Sequence, residues 1–507
     1  MLKNVIIYLI LILYSCGKEK KDLAKNNISK KPNIIILYVD DLGYGDIESY
    51  GAKGVKTPEL NKLATNGLQF TDAHSAAATC TPSRYALLTG NYAFRKDAKV
   101  LKGDAPLLID PNQITLPKVL QNAGYTTGIV GKWHLGLGNG NIDWNTKIQP
   151  GPNEVGFDYS FLLPSTGDRV PTVFMENGYV LNKKTEDPII VDYNNKVGNR
   201  PTGEENPNLR KQVADPQHNK TIVNGLSRIG YMGGGKSAEW IDEDFPYVFN
   251  KKANEFLDNN AKNPFFLFYS FHDIHVPRSP HRNFTGKSDM GPRGDAIAQV
   301  DFVVGEIVKK VESLGIADNT LIIFTSDNGP VLNDGYEDNA VESLGEHKPS
   351  GPFNGGKYSI YEGGTRVPTI TYWPKTISPG KSNALMNQVD LLASIAHITN
   401  QTLPKNIIDS ENFWNTWIGK DNTGRKSMIE EAYTLAYLEG NYKYIQPKTD
   451  KNFSWIKNDK GIDAGISDKP QLYDLKNDPS EINNLASQYP EKIVEYEQKL
   501  QFIIKKN

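Results

Sequence analysis

The chain has 507 residues with 57 basic and 59 acidic side chains, so its formal net charge is only −2. A nearly neutral chain has no overall field that would gather a polyanion, which argues against nucleic acid as a partner. With 38% hydrophobic and 23% charged residues, the composition is that of a soluble globular protein rather than of a disordered or membrane-embedded one. The length exceeds what one core accommodates, so we expect a large domain with a smaller appended unit.

The first element in chain order is a short apolar segment, Val5–Leu13. It is too short to span a bilayer, which takes about 20 apolar residues, but it fits the core of a signal peptide. Residues 13–17 (LYSCG) resemble a bacterial lipobox, in which the cysteine, here Cys16, becomes the lipidated first residue of the mature chain. Tyr14 departs from the small residue that is usual there.

We therefore predict a signal peptide at residues 1–15 and a flexible, charged tether at residues 16–31. A chain of this type is exported and is anchored to the bacterial cell envelope by a lipid on Cys16. This anchor is the one membrane contact that the sequence predicts.

Three apolar segments have the pattern of strands buried on both faces of a mainly parallel sheet, and polar residues follow each of them. The segments with their polar residues are Asn33–Val39 with Asp40 and Asp41, Pro264–Phe271 with His272 and His275, and Leu321–Thr325 with Asp327 and Asn328. In open α/β sheets, ligands bind beyond the carboxyl ends of the strands. We therefore expect these side chains to form one shared site.

Helical patterns lie between the strands. Apolar spacing near 3.6 predicts helices at Glu59–Gly67, Thr115–Gly124, Ala298–Leu314 and Val389–Ile398. The alternation predicts an α/β sandwich, with a large mixed, mainly parallel sheet between helices. Gly, Pro and Asn are dense from about residue 136 to residue 235, which indicates long loops over the strand ends rather than a separate domain.

The pattern of predicted elements changes near residue 405. Short strand-like pieces follow, such as Tyr442–Ile445 and Gln471–Leu475, and a final helix is predicted from about Pro490 to Ile504. We therefore predict a main domain at residues 32–404 and a small C-terminal α+β subdomain at residues 405–507.

The densest chemical motif is CTPSRYALLTG at residues 80–90, and a second motif, GYTTGIVGKWH, lies at residues 124–134. In this order they resemble the two signatures of type I sulfatases, a family with the alkaline-phosphatase-like fold. The resemblance extends from Pro32 to about Ala486 through shorter matches at residues 326–329, 355–357, 362–368 and 472–479. A lone cysteine is usually a small buried apolar residue, but the neighbours of Cys80 reverse that interpretation.

The resemblance implies that the protein hydrolyses sulfate monoesters. In this family the cysteine at the position of Cys80 is oxidised to formylglycine by a separate maturation enzyme, so this cofactor and this partner are implied. A hydrated aldehyde offers two hydroxyls: one attacks sulfur, and the other expels sulfate by re-forming the aldehyde. Because the substrate is an anion with a poor leaving group, the site must also neutralise charge and protonate the departing oxygen.

A metal site is predicted at the strand ends. The carboxylates of Asp40, Asp41 and Asp327 and the amide oxygen of Asn328 are hard ligands that suit Ca²⁺, with Mg²⁺ as the alternative. The family pattern implies one Ca²⁺ per chain, bound also to the formylglycine at position 80 and to a sulfate oxygen. Taken alone, either acidic motif could be a turn at a strand end.

Further catalytic roles follow from the resemblance. Arg84 would lie one turn after the cysteine if a helix begins there, and it would steady the diol. Lys132 and Lys357 would bind sulfate oxygens as point charges. His134 would accept a proton from the diol, and His275 would protonate the leaving group. Outside such motifs the same residue types are usually solvated lysines and structural histidines.

Substrate contacts are expected in the loop-rich stretch, where Asp168 and Arg169 lie in one segment and His218 and Arg228 in another. These segments resemble those of polysaccharide-active bacterial sulfatases. A sulfated algal polysaccharide such as ulvan, or a glycosaminoglycan, therefore fits better than a sulfatide or a steroid sulfate. Salt bridges within the loops are the alternative interpretation. His272 is either a further substrate contact or a structural histidine.

Two other functions stay open at this point. One is a phosphoester or phosphonate hydrolase of the same superfamily; such enzymes commonly bind two transition metals, whereas Asn328 and the paired lysines favour one hard cation. Some phosphonate hydrolases share the cysteine signature. The other is a surface lipoprotein that binds sulfated glycans with an unconverted Cys80. Its function would not require the unbroken set of catalytic residues that this chain carries.

Overall fold

The structure, a computed structural model, describes residues 31–449 and 452–506. The predicted signal peptide, the tether up to residue 30 and the lipidation site at Cys16 lie outside the described residues. Within the described ranges, no helix is both long enough and apolar enough to cross a membrane.

The strands of the described residues are numbered here in chain order. They are β1 (Asn33–Val39), β2 (Leu68–Phe70), β3 (Ala73–His74), β4 (Thr126–Lys132), β5 (Tyr159–Leu163), β6 (Met175–Glu176), β7 (Tyr179–Val180), β8 (Ile190–Asp192), β9 (Val213–Ala214), β10 (Ile222–Val223), β11 (Leu226–Ser227), β12 (Tyr231–Gly233), β13 (Phe265–Ser270), β14 (Thr320–Ser326), β15 (Tyr336–Glu337), β16 (Thr369–Tyr372), β17 (Gly380–Ser382), β18 (Met386–Asn387), β19 (Ser427–Glu431), β20 (Leu435–Glu439), β21 (Tyr442–Ile445) and β22 (Gln471–Asp474).

The α-helices are numbered in the same way. They are α1 (Pro58–Asn66), α2 (Cys80–Thr89), α3 (Leu116–Asn122), α4 (Pro152–Val155), α5 (Phe245–Asn260), α6 (Gly291–Ser313), α7 (Glu362–Thr365), α8 (Leu391–Ile398), α9 (Trp414–Trp417), α10 (Ser454–Lys460) and α11 (Pro490–Lys505).

The main sheet has ten strands in the order β17-β2-β16-β14-β1-β13-β4-β5-β6-β7. Its centre, from β14 to β5, is parallel, and antiparallel pairs flank this centre on both sides. Helices cover the sheet, and the prediction of a mixed, mainly parallel sheet is confirmed. The carboxyl ends of β14, β1, β13 and β4 therefore meet at one edge.

Strand β1 is apolar after Asn33 because it packs into a core on each face of the sheet. Ile34 and Ile36 pack into the core on one face of the sheet, whereas Ile35 and Leu37 pack into a second core on the other face. All four side chains are completely buried. A strand that is buried on both faces does not show the alternation of polar and apolar residues that is typical of a strand with one exposed face.

The predicted elements are found close to their expected bounds, with one clear exception. Helix α6 begins at Gly291, seven residues before the predicted start at Ala298. Its first turn is held by Arg293, which is buried and donates to both carboxylate oxygens of Asp46 at 2.8 and 2.6 Å. Because this partner is distant in the chain, apolar periodicity could not indicate the extra turns.

The stretch from residue 136 to residue 235, predicted to form long loops, contains loops and short strands, and three of these strands, β5, β6 and β7, belong to the main sheet. Beyond the main sheet, β19 to β22 form a small antiparallel sheet. Helix α11 packs against it through Tyr496 and Leu500, which join a core with Tyr437 and Tyr444. This confirms the small α+β unit, while its boundary at residue 404 stays a prediction.

Candidate active site

The polar ends of the central strands surround the first residue of helix α2, Cys80. Its thiol donates to Asp40 Oδ1, at an Sγ–Oδ1 distance of 3.4 Å. Donor atoms of Asp40, Asp41, Cys80 and Asp327 all lie within 4.8 Å of one another, and the four side chains are buried. The predicted shared site at the carboxyl edge therefore exists.

This acidic cluster fits a metal site. Asn328 donates from Nδ2 to Asp41 Oδ1 at 2.8 Å. Its buried Oδ1 has no hydrogen-bond partner among the described residues. Three carboxylates beside a free amide oxygen form a set of hard oxygen donors, which suits a divalent cation.

Three buried cations pair with the three carboxylates. Arg84 donates from Nε and Nη2 to Asp327 Oδ2 at 3.0 and 2.8 Å. Lys132 Nζ donates to Asp40 Oδ2, and Lys357 Nζ donates to Asp41 Oδ2 at 2.9 Å. The basic residues that the motifs singled out thus contact the predicted metal ligands directly.

The residue before Lys132 is a glycine that allows strand β4 to approach strand β13 closely. Gly131 has a φ of 110°, and a Cβ at this residue would lie 1.8 Å from the carbonyl oxygen of Ser270 on the neighbouring strand β13. A side chain at this position would separate the two strands. The close approach explains why glycine precedes the lysine of the second motif.

The two predicted catalytic histidines each use one ring nitrogen to fix the ring. His134 donates from Nε2 to the carbonyl oxygen of Leu101 at 3.0 Å, and its Nδ1 has no partner among the described residues. His275 donates from Nδ1 to the carbonyl oxygen of Val276 at 2.7 Å. Its Nε2 lies 3.9 Å from Asp41 Oδ2. Each ring therefore keeps one nitrogen available for chemistry.

A cleft of about 300 Å³ leads to this cluster. It is lined by seven of the predicted residues, which are Cys80, His134, Asp168, Arg169, His218, His275 and Lys357. A buried charged cluster that is reached through a cleft has the form of an active site.

The comparisons with known proteins agree with this geometry. The family model described as Sulfatase matches residues 32–401. The chain belongs to the sulfatase family. It is therefore a sulfuric ester hydrolase, as the two motifs predict.

Individual sulfatases resemble the chain over most of its length. An N-acetylgalactosamine-6-O-sulfatase of Bacteroides thetaiotaomicron is 48% identical over 501 residues, which cover 97% of each protein. A solved structure described with glycosaminoglycan metabolism by the same species has a TM-score of 0.92 at 48% identity, and covers 94% of this chain and 100% of that one. Human arylsulfatase A is 29% identical over 90% of this chain and 84% of its own.

The electrostatics of the sulfatase site work against a reaction of the thiol itself. Burial raises the pKa of the Cys80 thiol well above its usual range, and the nearby Asp327 carboxylate adds to this shift. A protonated thiol is a poor nucleophile. Unmodified Cys80 is therefore poorly suited to attack an ester.

The carboxylates and histidines have shifted pKa values as well. Burial raises the pKa of Asp40 well above its usual range. Burial also opposes ionisation of Asp327, but Arg84, Lys132 and Lys357 together outweigh burial and lower the pKa. Burial lowers the pKa of His134 and His275 well below the usual range, and Lys132 contributes in both cases. Both shifts favour the neutral form of the imidazole.

Three of the predicted substrate residues form a polar group in the cleft. Arg169 Nη1 lies 2.8 Å from both carboxylate oxygens of Asp168. His218 Nε2 lies 3.4 Å from Asp168 Oδ2, and its Nδ1 is held by Asp215 at 2.7 Å. The group presents charged atoms and hydrogen-bonding atoms on the lining of the cleft.

The other two predicted substrate residues, Arg228 and His272, do not line the cleft. Arg228 is completely buried, donates to the carbonyl oxygen of Gly167 and pairs with Asp242 at 2.7 Å. The His272 ring packs on Phe245, and a Cβ at Gly167 would lie 2.4 Å from its Nε2. Both residues contact Gly167 and so pack behind the segment that contains Asp168. This corrects the expectation of direct substrate contact and favours the structural alternative for His272.

Sequence reasoning missed eleven residues of the cleft lining. Five of them are joined by contacts with one another, and these are Asp334, Tyr358, Tyr433, Trp455 and Lys460. Asp334 pairs with Lys357 Nζ and with Lys460 Nζ, at 2.9 and 3.0 Å. Of these five, only Asp334 and Tyr358 lie near a recognised motif. The other three come from the C-terminal region, in which no local pattern indicated a site.

Proposed function

We propose that this sulfatase removes the 6-sulfate of N-acetylgalactosamine in a glycosaminoglycan or its oligosaccharides, using formylglycine and one Ca²⁺. The observation that supports the substrate is the 48% identity, over 97% of both chains, to the Bacteroides N-acetylgalactosamine-6-O-sulfatase. Of the two polysaccharide classes that the sequence favoured, this relative supports the glycosaminoglycan.

Two groups would complete the site. Asp40, Asp41, Asp327 and Asn328 would hold Ca²⁺, since a site with several carboxylates suits the larger ion better than Mg²⁺. When bound, the ion supplies positive charge that polarises a sulfate oxygen. A formylglycine made from Cys80 supplies a hydroxyl nucleophile once hydrated. Because Cys80 is only 1% exposed, we expect the maturation enzyme to act before the chain folds.

The remaining catalytic roles, which are sulfate binding and proton transfer, belong to side chains of the protein itself. Lys132 and Lys357 bind sulfate oxygens, since both ammonium groups lie beside the cysteine at the base of the cleft. Arg84 remains paired with Asp327, and its Nη1 also donates to Ser270 Oγ at 2.6 Å. His134 accepts a proton at Nδ1, the nitrogen that is left free.

Leaving-group protonation falls to His275. Its Nδ1 is engaged with a backbone carbonyl, so Nε2 takes up a proton when the anionic sulfate ester binds and then donates that proton to the departing sugar oxygen. Asp168, Arg169 and His218 then hold the sugar through its hydroxyls, because this polar group also lines the cleft and its Asp168 is close enough to His275 to affect the pKa of that imidazole.

For localisation we propose export and anchoring to the cell envelope through a lipid on Cys16. The support is the signal-peptide pattern of residues 1–15 and the lipobox-like segment that follows. Replacing the cysteine (Cys16→Ser) should move the protein from the membrane fraction to the soluble fraction in a bacterial host. A protein that fractionates with membranes regardless of this change would refute the anchor.

The function is tested with protein produced beside a formylglycine-generating enzyme. Sulfate release is measured from N-acetylgalactosamine 6-sulfate and from its 4-sulfated isomer, and release of the phenol is measured from an aryl phosphonate monoester. We expect turnover of the 6-sulfated sugar alone. Faster turnover of the phosphonate would favour the phosphonate hydrolase, and turnover of none of the three would favour the glycan-binding lipoprotein.

The cofactor is tested on the same preparation by mass spectrometry of the peptide that contains residue 80. Conversion replaces sulfur and two hydrogens by oxygen, so the peptide becomes lighter. Fully active protein that retains an unmodified Cys80 would refute the formylglycine mechanism.

A further inference from the structure

One wall of the catalytic cleft is built from aromatic rings. Tyr358, Tyr433 and Trp455, here called the aromatic wall, all line the cleft. The two tyrosine rings are nearly parallel, with centroids 6.4 Å apart and an interplanar angle of 17°. The Trp455 ring meets both edge-on, with centroids 5.5 and 6.0 Å away. The three rings therefore form one contiguous apolar surface beside the catalytic residues.

The aromatic wall is supported from outside the cleft. Phe453 does not line the cleft and packs against Tyr433, with centroids 4.9 Å apart. All three rings of the wall are only half-buried. A fold gains stability by covering such surface, so rings that stay open on one side are available to a ligand.

Tyr358 links this surface to the catalytic residues. It follows Lys357 directly and has a φ of 75°, which is unfavourable for a bulky side chain. Its backbone N–H donates to the carbonyl oxygen of Ala78 at 2.8 Å, and its hydroxyl lies 3.3 Å from Asp334. The ring is thus held where a relaxed backbone would not place it.

A sugar ring is the ligand that matches this surface. Its C–H faces are apolar and flat enough to stack on aromatic rings, while its hydroxyls point outward to polar partners. The cleft of about 300 Å³ lies at the lower end of the size range of small-molecule sites. Tyr358 lies beside the catalytic residues, since Lys357 Nζ is 5.4 Å from its ring centroid, and it is close enough to contact the sulfated sugar itself. Tyr433 and Trp455 pack on Tyr358 and on each other, so a sugar stacked on these two rings is the next one of the chain.

We propose that Tyr433 and Trp455 of the aromatic wall bind the sugar next to the sulfated residue, and so make the enzyme prefer an oligosaccharide to a monosaccharide. The inference rests on the proposed function, because it takes the substrate to be a sulfated sugar chain. It gives the C-terminal region, which supplies Tyr433 and Trp455, a direct part in substrate choice.

The test compares Trp455→Ala and Tyr433→Ala with the unmodified enzyme. kcat/KM is measured with N-acetylgalactosamine 6-sulfate and with two disaccharides that extend it by one sugar at either end. Loss of one stacked ring should lower kcat/KM about tenfold for at least one disaccharide, mostly through KM. The value for the monosaccharide should change less than about twofold, because it contacts Tyr358 but not Tyr433 or Trp455.

Two controls keep this result interpretable. Phe502→Ala removes an aromatic ring that is 74% exposed and outside the cleft lining, and it should leave all three substrates unaffected. Trp455→Leu retains apolar bulk but not the flat ring, so it should reproduce the selective loss even if the alanine variant is unstable.

The outcomes separate the two levels of the proposal. Equal changes for monosaccharide and disaccharides in both Trp455 variants, or no change at all, would overturn the role of the wall. An unmodified enzyme that desulfates none of the 6-sulfated sugars would instead refute the proposed function.

Discussion

Two buried groups of charged side chains in this protein have similar composition and serve different purposes. The catalytic cluster consists of Asp40, Asp41, Asp327, Arg84, Lys132 and Lys357. The sheet cluster consists of His74, Glu362, Glu430, Lys443 and Glu481, and it joins the C-terminal sheet to the body of the fold. Every one of these side chains is at most 2% exposed.

In the sheet cluster a cation occupies the centre. Lys443 Nζ lies 2.5 Å from Glu430 Oε2 and 3.1 Å from both Glu362 Oε1 and Glu481 Oε1. His74 Nδ1 lies 2.9 Å from Glu430 Oε1. Glu362 belongs to the main body, whereas Lys443 and the other two glutamates belong to the C-terminal region. The carboxylates therefore have their counter-charge inside the protein.

In the catalytic cluster the centre is formed by carboxylates, and each cation pairs with them individually. Asn328 keeps a free oxygen beside them, and Lys357 and Cys80 reach the cleft, whereas no member of the sheet cluster lines it. Both regions hold enough acidic and histidine donors to bind a metal ion. Burial and charge alone therefore do not identify an active site. An oxygen that could bind a metal, has no hydrogen-bond partner and lies beside a cleft does identify one.

The largest expected effect comes from removing a cation of the catalytic cluster. Lys132→Ala should lower kcat about a thousandfold, because one preorganised charge that binds a transition-state oxygen is worth about that much. Single-turnover sulfate release measures it. The free energy of unfolding of the metal-loaded protein should change little, since the bound cation keeps the carboxylates neutralised. A stability loss without a loss of rate would contradict the catalytic role.

The matched change in the sheet cluster should have the opposite outcome. Lys443→Met leaves three buried carboxylates without their central cation, and it should lower the free energy of unfolding by about 3 to 5 kcal/mol. Denaturant unfolding measures this loss. The activity per folded molecule should be close to that of the unmodified enzyme. A large fall in activity at unchanged stability would mean that this cluster belongs to the active site.

Metal removal should affect only the catalytic cluster. A chelator should inactivate the enzyme and lower the free energy of unfolding by about 3 kcal/mol, if the cation is normally present at about a hundred times its dissociation constant. Calcium should restore both properties. The chelator shift should persist in Lys443→Met and shrink in Asp327→Asn. Full activity of metal-free protein would refute the metal site.

The smallest expected effect is a pH dependence of the sheet cluster. Burial alone would lower the pKa of His74, but the carboxylates of Glu362, Asp72 and Glu430 outweigh burial and raise the pKa to about 9. Because the folded value exceeds the unfolded one of about 6.5, the stabilisation is complete below pH 6.5 and is lost as the pH rises through 9. We expect His74 to contribute a loss of about 2 kcal/mol between pH 7.5 and pH 9.5.

Unfolding measured across this pH range in the His74→Gln variant checks the assignment. The variant should lose most of the slope above pH 8. Burial raises the pKa of Glu481 to about 8, so this carboxyl contributes a slope of the same sign at lower pH and should still contribute in the variant. An unchanged slope above pH 8 would show that His74 is not the group that titrates.

The catalytic cluster could be predicted from the sequence because its residues lie next to recognisable elements. Asp40, Asp41 and Asp327 directly follow buried strands, and Arg84 lies one turn into the helix that Cys80 begins. Parallel strands bring their carboxyl ends to one edge. Local patterns that predict the strands and the helix therefore also predict which side chains meet.

The remaining features were decided by contacts between segments that are far apart in the chain. Lys443 meets Glu362 across 81 positions, and Arg228 is turned away from the cleft by Asp242 and Gly167. Trp455 reaches the cleft only because the C-terminal region packs beside it. The sequence by itself determined the strands, the catalytic motifs and the family. Which other side chains face the cleft was decided by tertiary packing, because no local periodicity records the direction in which a loop or a distant sheet turns its residues.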